Sequence, residues 1–406
     1  MFNINSIINI NDSINIRRQL KFIDLFCGIG GFHQAMVRID AKCVFACDID
    51  EKCRQVYNNN YKLMPHSDIT KVVVEDIPNF DVLCAGFPCQ SFSNSGNKKG
   101  LSDKRGMLFE YILKIATIKK PLFMFLENVK HIKKIDNGKI FDFILKRINE
   151  TGYYIDNQNV IEISPHNLGI PQQRERIIFN CIRKDIYKDA INIPIPNIPI
   201  SFENILEKNT DIKYKISSED EEILTIWDKM LQNIEVNENL SPTILCNEFN
   251  NNYNEVDFAD LPKWKQDYIN KNKNIYNKYK SYWDEWYNKY KSIINKKEIY
   301  GKLEWQSGIK KENDSIFNYF IQFRQSGIRV KKTKYFPTLV AIVQTPIYAK
   351  EKRYITPREC ARLQSFPDTF IMHETDRIAY KQFGNAVNVD VVHFVISNVL
   401  TQYKYI

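Results

Sequence analysis

Three short segments carry side chains suited to covalent catalysis. Cys89 follows Pro88 where an apolar run ends, so its thiol is expected at a strand end and partly exposed. Glu127 ends the next predicted strand, and Arg174 and Arg176 lie at alternate positions of a later segment, so they point the same way if that segment is extended. Taken singly, these residues could be a structural thiol and a solvated strand edge. Together they supply a nucleophile, an acid and cationic donors.

A glycine-rich turn at 24–32 precedes these segments. Glycine lets the backbone turn tightly and lets a ligand approach closely. Asp48 lies about one strand–helix unit later, where its carboxylate could accept hydrogen bonds from ribose hydroxyls. The turn alone fits NAD, FAD or S-adenosylmethionine, and it also fits a tight turn without a ligand.

The first half of the chain alternates short apolar runs with helical patterns. This alternation predicts a parallel, doubly wound α/β sheet, in which ligands lie beyond the carboxyl ends of the strands. The glycine turn, Cys89 and Glu127 all fall at such ends. The predicted strands are 21–26, 42–46, 80–85 and 121–126, and the predicted helices are 32–39, 51–61, 108–118 and 140–150.

The alternation stops at a proline-rich stretch, 191–199, and returns after Tyr348 with predicted helices at 356–365 and 389–400. We therefore expect one catalytic domain interrupted by an inserted module. Within the insert, the aromatic and lysine-rich stretch 278–291 is interpreted as the buried face of an amphipathic helix rather than as a stacking surface for bases. The predicted division is an N-terminal extension at 1–19, catalytic segments at 20–190 and 349–406, and a target-recognition domain at 191–348.

The composition is that of a globular protein in a reducing compartment. The 406 residues include nine cysteines, whose spacing matches neither a disulfide framework nor a zinc site, so no metal is predicted. No apolar run reaches the length of a membrane span, and the N-terminus is a poor signal peptide, which predicts a cytoplasmic location without membrane association. The net charge of +9 suits a polyanionic partner, although a coding bias towards A and T inflates the lysine count.

Six segments resemble, in order, the motifs of the bacterial cytosine-5 DNA methyltransferase family, whose members include type II restriction-modification enzymes. They are similar to the family's glycine, nucleophile, acid and Gln-x-Arg-x-Arg motifs, to the segment that supports its recognition module, and to its last motif. The six segments are 24–32, 81–93, 127–129, 172–176, 356–363 and 384–387.

The resemblance implies a Rossmann-like, mostly parallel sheet of the class I methyltransferase type with a smaller inserted target-recognition domain. It implies S-adenosyl-L-methionine as methyl donor and S-adenosyl-L-homocysteine as product. The catalytic residues that it implies are Cys89, Glu127, Arg174 and Arg176. The cofactor residues that it implies are Phe26, Gly28, Gly30, Asp48, Ile49, Asp68, Ile69, Pro88, Leu108, Asn385 and Ala386.

The chemistry implied by the resemblance requires a cytosine flipped out of duplex DNA. Cys89 adds to its carbon 6, Glu127 acts at nitrogen 3, and Arg176 holds the O2 atom, while Arg174 supports a loop or Glu127. Double-stranded DNA is the expected partner, the enzyme is expected to be a monomer, and a cognate restriction endonuclease would act separately. The expected DNA contacts are Ser93, Ser95, Lys98 and Arg105 in a loop over the base, and Arg324, Gln325, Arg329, Lys331, Thr338 and Leu339 in the recognition region, with Thr243 as a rival to Thr338.

Three other functions remain open at this point. A tRNA cytosine-5 methyltransferase shares most of these motifs, but the chain lacks a Cys-Phe-Thr segment typical of those enzymes and carries a large insert. A non-catalytic DNA-binding relative would have no need of Cys89, Glu127 and Arg176 together. A nicotinamide dehydrogenase would not explain the motif around Cys89.

Overall fold

The structure is a computed structural model that describes residues 18–88, 106–240, 244–246, 255–332, 334–341 and 344–406. Its main sheet has seven strands in the order β2-β1-β3-β4-β7-β5, and β6 also pairs with β7. Strands β1 to β4 are parallel to one another, whereas β7 is antiparallel to β4. The bounds are β1 Lys21–Leu25, β2 Lys42–Cys47, β3 Val82–Gly86, β4 Phe123–Val129, β5 Tyr153–Tyr154, β6 Val160–Ile163 and β7 Arg176–Arg183.

Helices cover both faces of this sheet, because side chains alternate between the faces along each buried strand. Phe22, Val82 and Phe123 pack in one core together with the last helix, α11, and Leu83 and Met124 pack in a second core with α3 and α4. The helices are α1 Gly31–Val37, α2 Glu51–Tyr61, α3 Gly106–Lys119, α4 Lys139–Glu150, α5 Ser218–Gln232, α6 Glu255–Ala259, α7 Lys263–Lys278, α8 Lys280–Ile294, α9 Pro357–Leu363, α10 Asp376–Asn385 and α11 Val389–Gln402.

A second sheet of six strands has the order β13-β12-β10-β11-β9-β8. Ile321, Val330 and Trp305 lie in its core, against Trp227 of α5 and Trp286 of α8. Its last strand, Arg353–Tyr354, lies beyond residue 348, where the sequence predicts the end of the insert. The bounds are β8 Ile244–Leu245, β9 Lys302–Gln306, β10 Phe320–Arg324, β11 Gly327–Lys331, β12 Ile347–Tyr348 and β13 Arg353–Tyr354.

The structure confirms that the aromatic stretch 278–291 forms the buried face of a helix. Trp283 and Trp286 of α8 are buried, and Tyr279 and Tyr290 pack partly buried around the same core. Their spacing of three to four residues places them on one side of the helix. These aromatic side chains therefore pack in or around the core of the insert and do not form a stacking surface for bases.

The segment Asp376–Gln402 has the length and apolar composition of a membrane helix, a feature that the sequence prediction missed. It consists of α10 and α11, which are separated at Ala386. Of its most apolar window, 56% is buried inside the protein. Its buried apolar side chains belong to the core that also contains Phe22 and Phe123 of the main sheet.

Candidate active site

A cleft of about 600 Å³ opens at the carboxyl ends of β1 to β4. This volume is in the range of small-molecule sites. Of the predicted cofactor residues, Gly30 alone is not part of the lining. A Cβ on Gly30 would lie 2.3 Å from Cε2 of Tyr61, so this glycine serves the packing of the turn, with φ of 89°. The predicted residues in the lining are Phe26, Gly28, Asp48, Ile49, Asp68, Ile69, Pro88, Leu108, Asn385 and Ala386.

The glycine turn and Asp48 are joined by a hydrogen bond. One carboxylate oxygen of Asp48 accepts from the backbone amide of Gly28 at 2.7 Å, and the other accepts from that of Asp50 at 2.8 Å. Burial raises the pKa of the Asp48 carboxyl above its ordinary value. Each oxygen keeps a second lone pair, so a ribose hydroxyl could still bind the carboxylate.

The cleft wall beside Asp48 has both an apolar and an acidic surface. The side chain of Ile49 is 80% exposed on the wall, so an adenine ring could cover apolar area that water otherwise contacts. Hydrogen bonds from Thr70 lower the pKa of the Asp68 carboxyl, which keeps an acceptor charged nearby. An apolar wall, two carboxylates and a glycine turn fit the adenine, ribose and cationic parts of S-adenosyl-L-methionine.

Glu127 and Arg176, which the resemblance assigns to one cytosine ring, form an ion pair at the other end of the cleft. Arg176 Nε lies 2.8 Å from Glu127 Oε1, and the two side chains are 17% and 12% exposed. Strands β4 and β7 produce this pair, because their antiparallel register brings the start of β7 beside the end of β4. A partly buried pair of this kind fixes both groups in one orientation.

Cys89 lies outside the described residues, so its meeting with this pair stays a prediction. The residue before it, Pro88, lines the same cleft. Asn128 donates to the backbone carbonyl of Phe87 at 3.0 Å and so holds the chain that leads to Pro88. Asn128 belongs to the predicted acid motif. Its hydrogen bond to Phe87, however, results from the pairing of β3 with β4 and could not be predicted from that motif.

Arg174 is buried, which makes its interpretation as a solvated strand edge wrong. Its guanidinium donates to three backbone carbonyls: Leu339 at 2.6 Å, Gly384 at 2.9 Å and Ala386 at 3.1 Å. Burial lowers the pKa of this guanidinium. Its hydrogen bonds therefore connect the segment just before β7 to the recognition region and to the cleft wall.

The predicted DNA contacts fall into three groups. Arg324, Arg329, Lys331 and Thr338 line a separate pocket on the second sheet, while Gln325 is exposed at the turn between β10 and β11. Leu339 departs from its predicted role, because its side chain is 6% exposed and packs in the core. The third group lies outside the described residues: Ser93, Ser95, Lys98, Arg105 and the rival Thr243.

Sequence reasoning missed several residues of the cleft. Gly31, Gly384 and Val387 belong to the motifs that were recognised, so the motif itself was the available signal. Gln382 lies one turn before Asn385 on α10, and no motif marks it. Cys47 and Cys53 also line the cleft, and burial raises the pKa of each thiol to about 12, so both stay protonated near neutral pH.

The fold, with its cleft at the strand ends, is that of a class I methyltransferase, and solved structures share it. The chain superposes on an Entamoeba histolytica methyltransferase, EhMeth, with a TM-score of 0.54 and 20% identity over 95% of this chain and 99% of that one. It superposes on the S. pombe Dnmt2 methyltransferase with a TM-score of 0.51 and 20% identity over 95% and 99% of the two chains.

Sequence comparison then gives the family. The model of the C-5 cytosine-specific DNA methylase family matches residues 20–401, so the chain belongs to this family. The type II methyltransferase M.HhaI of Haemophilus parahaemolyticus is 30% identical over 94% of both chains. M.HpaII of Haemophilus parainfluenzae is 30% identical over 93% of this chain and 88% of its own. The protein is a C-5 cytosine DNA methyltransferase, and S-adenosyl-L-methionine is its methyl donor.

Proposed function

We propose that this protein is a DNA (cytosine-5-)-methyltransferase that modifies one cytosine within a specific duplex sequence, with Cys89 as the nucleophile. The observation that carries the proposal is the Glu127–Arg176 ion pair, which lines the same cleft as the proposed cofactor residues and Pro88. Two polar groups of opposite charge are thereby fixed where one pyrimidine ring could contact both.

The ion pair leaves defined groups for the ring. Among the described residues, Glu127 pairs with Arg176 Nε, and the backbone carbonyl of Glu175 accepts from Nη1 at 2.8 Å, so we assign Nη2 to the cytosine O2. Glu127 uses Oε1, which leaves Oε2 for ring nitrogen 3. Gly86 lies beside this oxygen, and a Cβ there would be in ordinary contact with it, at 3.7 Å.

The proposed reaction begins with a cytosine that has left the helical stack, which costs a few kcal/mol, roughly. The Cys89 thiolate adds to carbon 6, and Glu127 stabilises the electron density that reaches nitrogen 3. S-adenosyl-L-methionine supplies the methyl group that carbon 5 accepts. Transfer of the carbon 5 proton to a water molecule then expels the thiolate and restores the aromatic ring.

Trapping of the covalent intermediate tests this mechanism. Bisulfite sequencing of a plasmid treated with the pure protein identifies the target site, and a duplex with 5-fluorocytosine at that position is then offered with the methyl donor. Fluorine cannot leave as a proton does, so we expect an adduct that survives denaturing electrophoresis. Cys89→Ala should form no adduct while still binding the methyl donor.

The half-buried Cys43 supplies a matched control, because it does not line the cleft. Cys43→Ala should form the adduct at the wild-type level. An active enzyme that leaves the fluorinated duplex free, or an adduct that persists in Cys89→Ala, contradicts the mechanism. A tRNA substrate methylated in preference to duplex DNA would contradict the proposed substrate.

The type II relatives also support proposals on the wider system. We expect a monomer, a cytoplasmic location, and a separate restriction endonuclease that cuts the same sequence. Gel filtration of the pure protein, and protection of methylated DNA from a nuclease encoded nearby, would test these points.

A further inference from the structure

In the second sheet, the part of the β10–β11 pair nearest its turn, residues 321–324 with 327–330, has one apolar face and one polar face. Side chains directly opposite in an antiparallel pair lie on the same face. The pairing of Gln322 with Arg329 therefore puts both on the face away from Ile321 and Val330, which are buried in the core. A pocket of about 100 Å³ forms on the polar face, and we name it the recognition pocket. It is lined by Gln322, Arg324, Arg329, Lys331, Pro337, Thr338, Val340 and Gln344.

Each of the two arginines of the recognition pocket is bound through its Nε atom by a neighbouring side chain. Arg329 Nε lies 2.6 Å from Glu304 Oε2, a partner that the parallel pairing of β11 with β9 places directly beside it. Arg324 Nε donates to Gln344 Oε1 at 3.1 Å. Gln322 is itself buried and donates to the Gln344 backbone carbonyl at 2.9 Å. Within the described chain, no residue hydrogen-bonds the terminal nitrogens of Arg324 or Arg329.

The recognition pocket thus presents mainly hydrogen-bond donors: two guanidinium ends, the Lys331 ammonium and the Gln344 amide nitrogen. In the major groove, guanine offers two adjacent acceptors, N7 and O6, whereas adenine and cytosine each present a donor. The end of a guanidinium matches the guanine edge with two parallel bonds. Glu304 offsets the charge of Arg329, which weakens that arginine as a phosphate ligand but not as a ligand of neutral acceptors.

We infer that the recognition pocket reads a guanine of the target sequence through the terminal nitrogens of Arg324 and Arg329, with Glu304 and Gln344 as positioning residues. This inference rests on the proposed function. The pocket adjoins the cleft, because Thr338 donates to the Gln173 carbonyl at 2.6 Å and the next carbonyl, that of Leu339, accepts from Arg174. The guanine therefore lies within a few base pairs of the flipped cytosine.

Base analogues in the wild-type target duplex test the inference. Each guanine is replaced in turn by 7-deazaguanine, which lacks N7, or by inosine, which keeps N7 and O6. At the guanine in question, 7-deazaguanine should lower kcat/KM by roughly 3- to 10-fold, since one of the two bonds of the bidentate contact is lost, while inosine should leave it unchanged.

Enzyme variants assign the contact to the pocket. Arg329→Lys and Glu304→Leu should lower kcat/KM on the natural duplex by a similar factor, and Glu304→Gln, which keeps an acceptor, should recover most of it. Both losses should be clearly smaller on the 7-deazaguanine duplex, where the bond to N7 is already absent and only the bond to O6 remains. Arg183→Lys is the matched control, since Arg183 Nε also pairs at 2.6 Å, with Asp185, and its exposure of 28% matches the 27% of Arg329.

The outcomes separate the two ideas. Losses that are equal on both duplexes, or the absence of any guanine sensitive to 7-deazaguanine, overturn the inference while methylation itself remains. A wild-type protein that methylates no DNA overturns the proposed function and the inference with it.

Discussion

Glu127 and Arg176 each divide their polar atoms between the partner and the proposed substrate. Their ion pair lies where water has limited access, so its geometry persists without a ligand. The pair therefore pre-orients a carboxyl group and a guanidinium before the base arrives. Such pre-orientation favours a transition state whose charge develops at defined ring atoms.

The substitution Glu127→Gln preserves the shape of this residue and removes its charge and acidity. We expect kcat for methyl transfer to fall by roughly 10²- to 10⁴-fold, the usual contribution of a positioned acid or base. Single-turnover transfer of labelled methyl groups measures the loss. Methyl-donor affinity, followed by calorimetry, should change little, because Glu127 lies at the opposite end of the cleft from Asp48. An unchanged single-turnover rate would remove Glu127 from the mechanism.

At the scale of elements, α10 crosses the recognition region in close backbone contact. A Cβ on Gly384 would lie 2.3 Å from the backbone oxygen of Val340 and 2.9 Å from the backbone nitrogen of Ala341. Both neighbours are backbone atoms, so no side-chain rotation relieves the clash. The requirement for glycine here comes from this crossing.

Gly384→Ala should therefore push these segments apart and destabilise the fold by about 1–3 kcal/mol, as overpacking does. Thermal unfolding should show a lower Tm, and affinity for the methyl donor should drop because Gly384 also lines the cleft. Gly301→Ala is the matched control, since its new Cβ would meet only Ile294, at an ordinary 3.6 Å. Equal Tm values for the two variants would refute the crossing as the reason.

The sequence predicts elements well where a local pattern defines them. Helix α2 has the predicted bounds, 51–61, because its apolar spacing and its cap at Asp50 are both local. The proximity of Glu127 and Arg176 follows from the resemblance, which assigns both to one cytosine ring, whereas the antiparallel strand β7 that begins at Arg176 was not among the predicted strands. The carbonyl partners of Arg174 could not be predicted, because Leu339 and Ala386 lie 165 and 212 residues further along the chain. The burial of Leu339 could not be predicted for the same reason, because it depends on contacts between residues far apart in the sequence.

At the scale of the whole molecule, the buried guanidinium of Arg174 is the point where three distant segments meet. It binds the carbonyl of Leu339, next to Thr338 of the recognition pocket, and the carbonyls of Gly384 and Ala386, which line the cleft. The two binding regions thus share one set of hydrogen bonds. We therefore expect a ligand that orders one region to order part of the other.

Arg174→Met keeps much of the apolar stem and leaves the carbonyls of Leu339 and Gly384 without their donor, while the Ala386 carbonyl keeps a bond from Gln364 at 3.3 Å. Each buried group left unsatisfied costs about 1–3 kcal/mol, so we expect affinities for the methyl donor and for the target duplex both to fall by tenfold or more. In the wild-type enzyme, bound duplex should tighten methyl-donor binding, and linkage requires the reverse effect to be equal. In the variant, the ratio of methyl-donor Kd values without and with duplex should approach one, as measured by titration calorimetry. Arg183→Met, which changes a paired arginine at the far end of β7, should keep the wild-type ratio. A variant that is merely less stable, with the ratio intact, would assign Arg174 a role in folding alone.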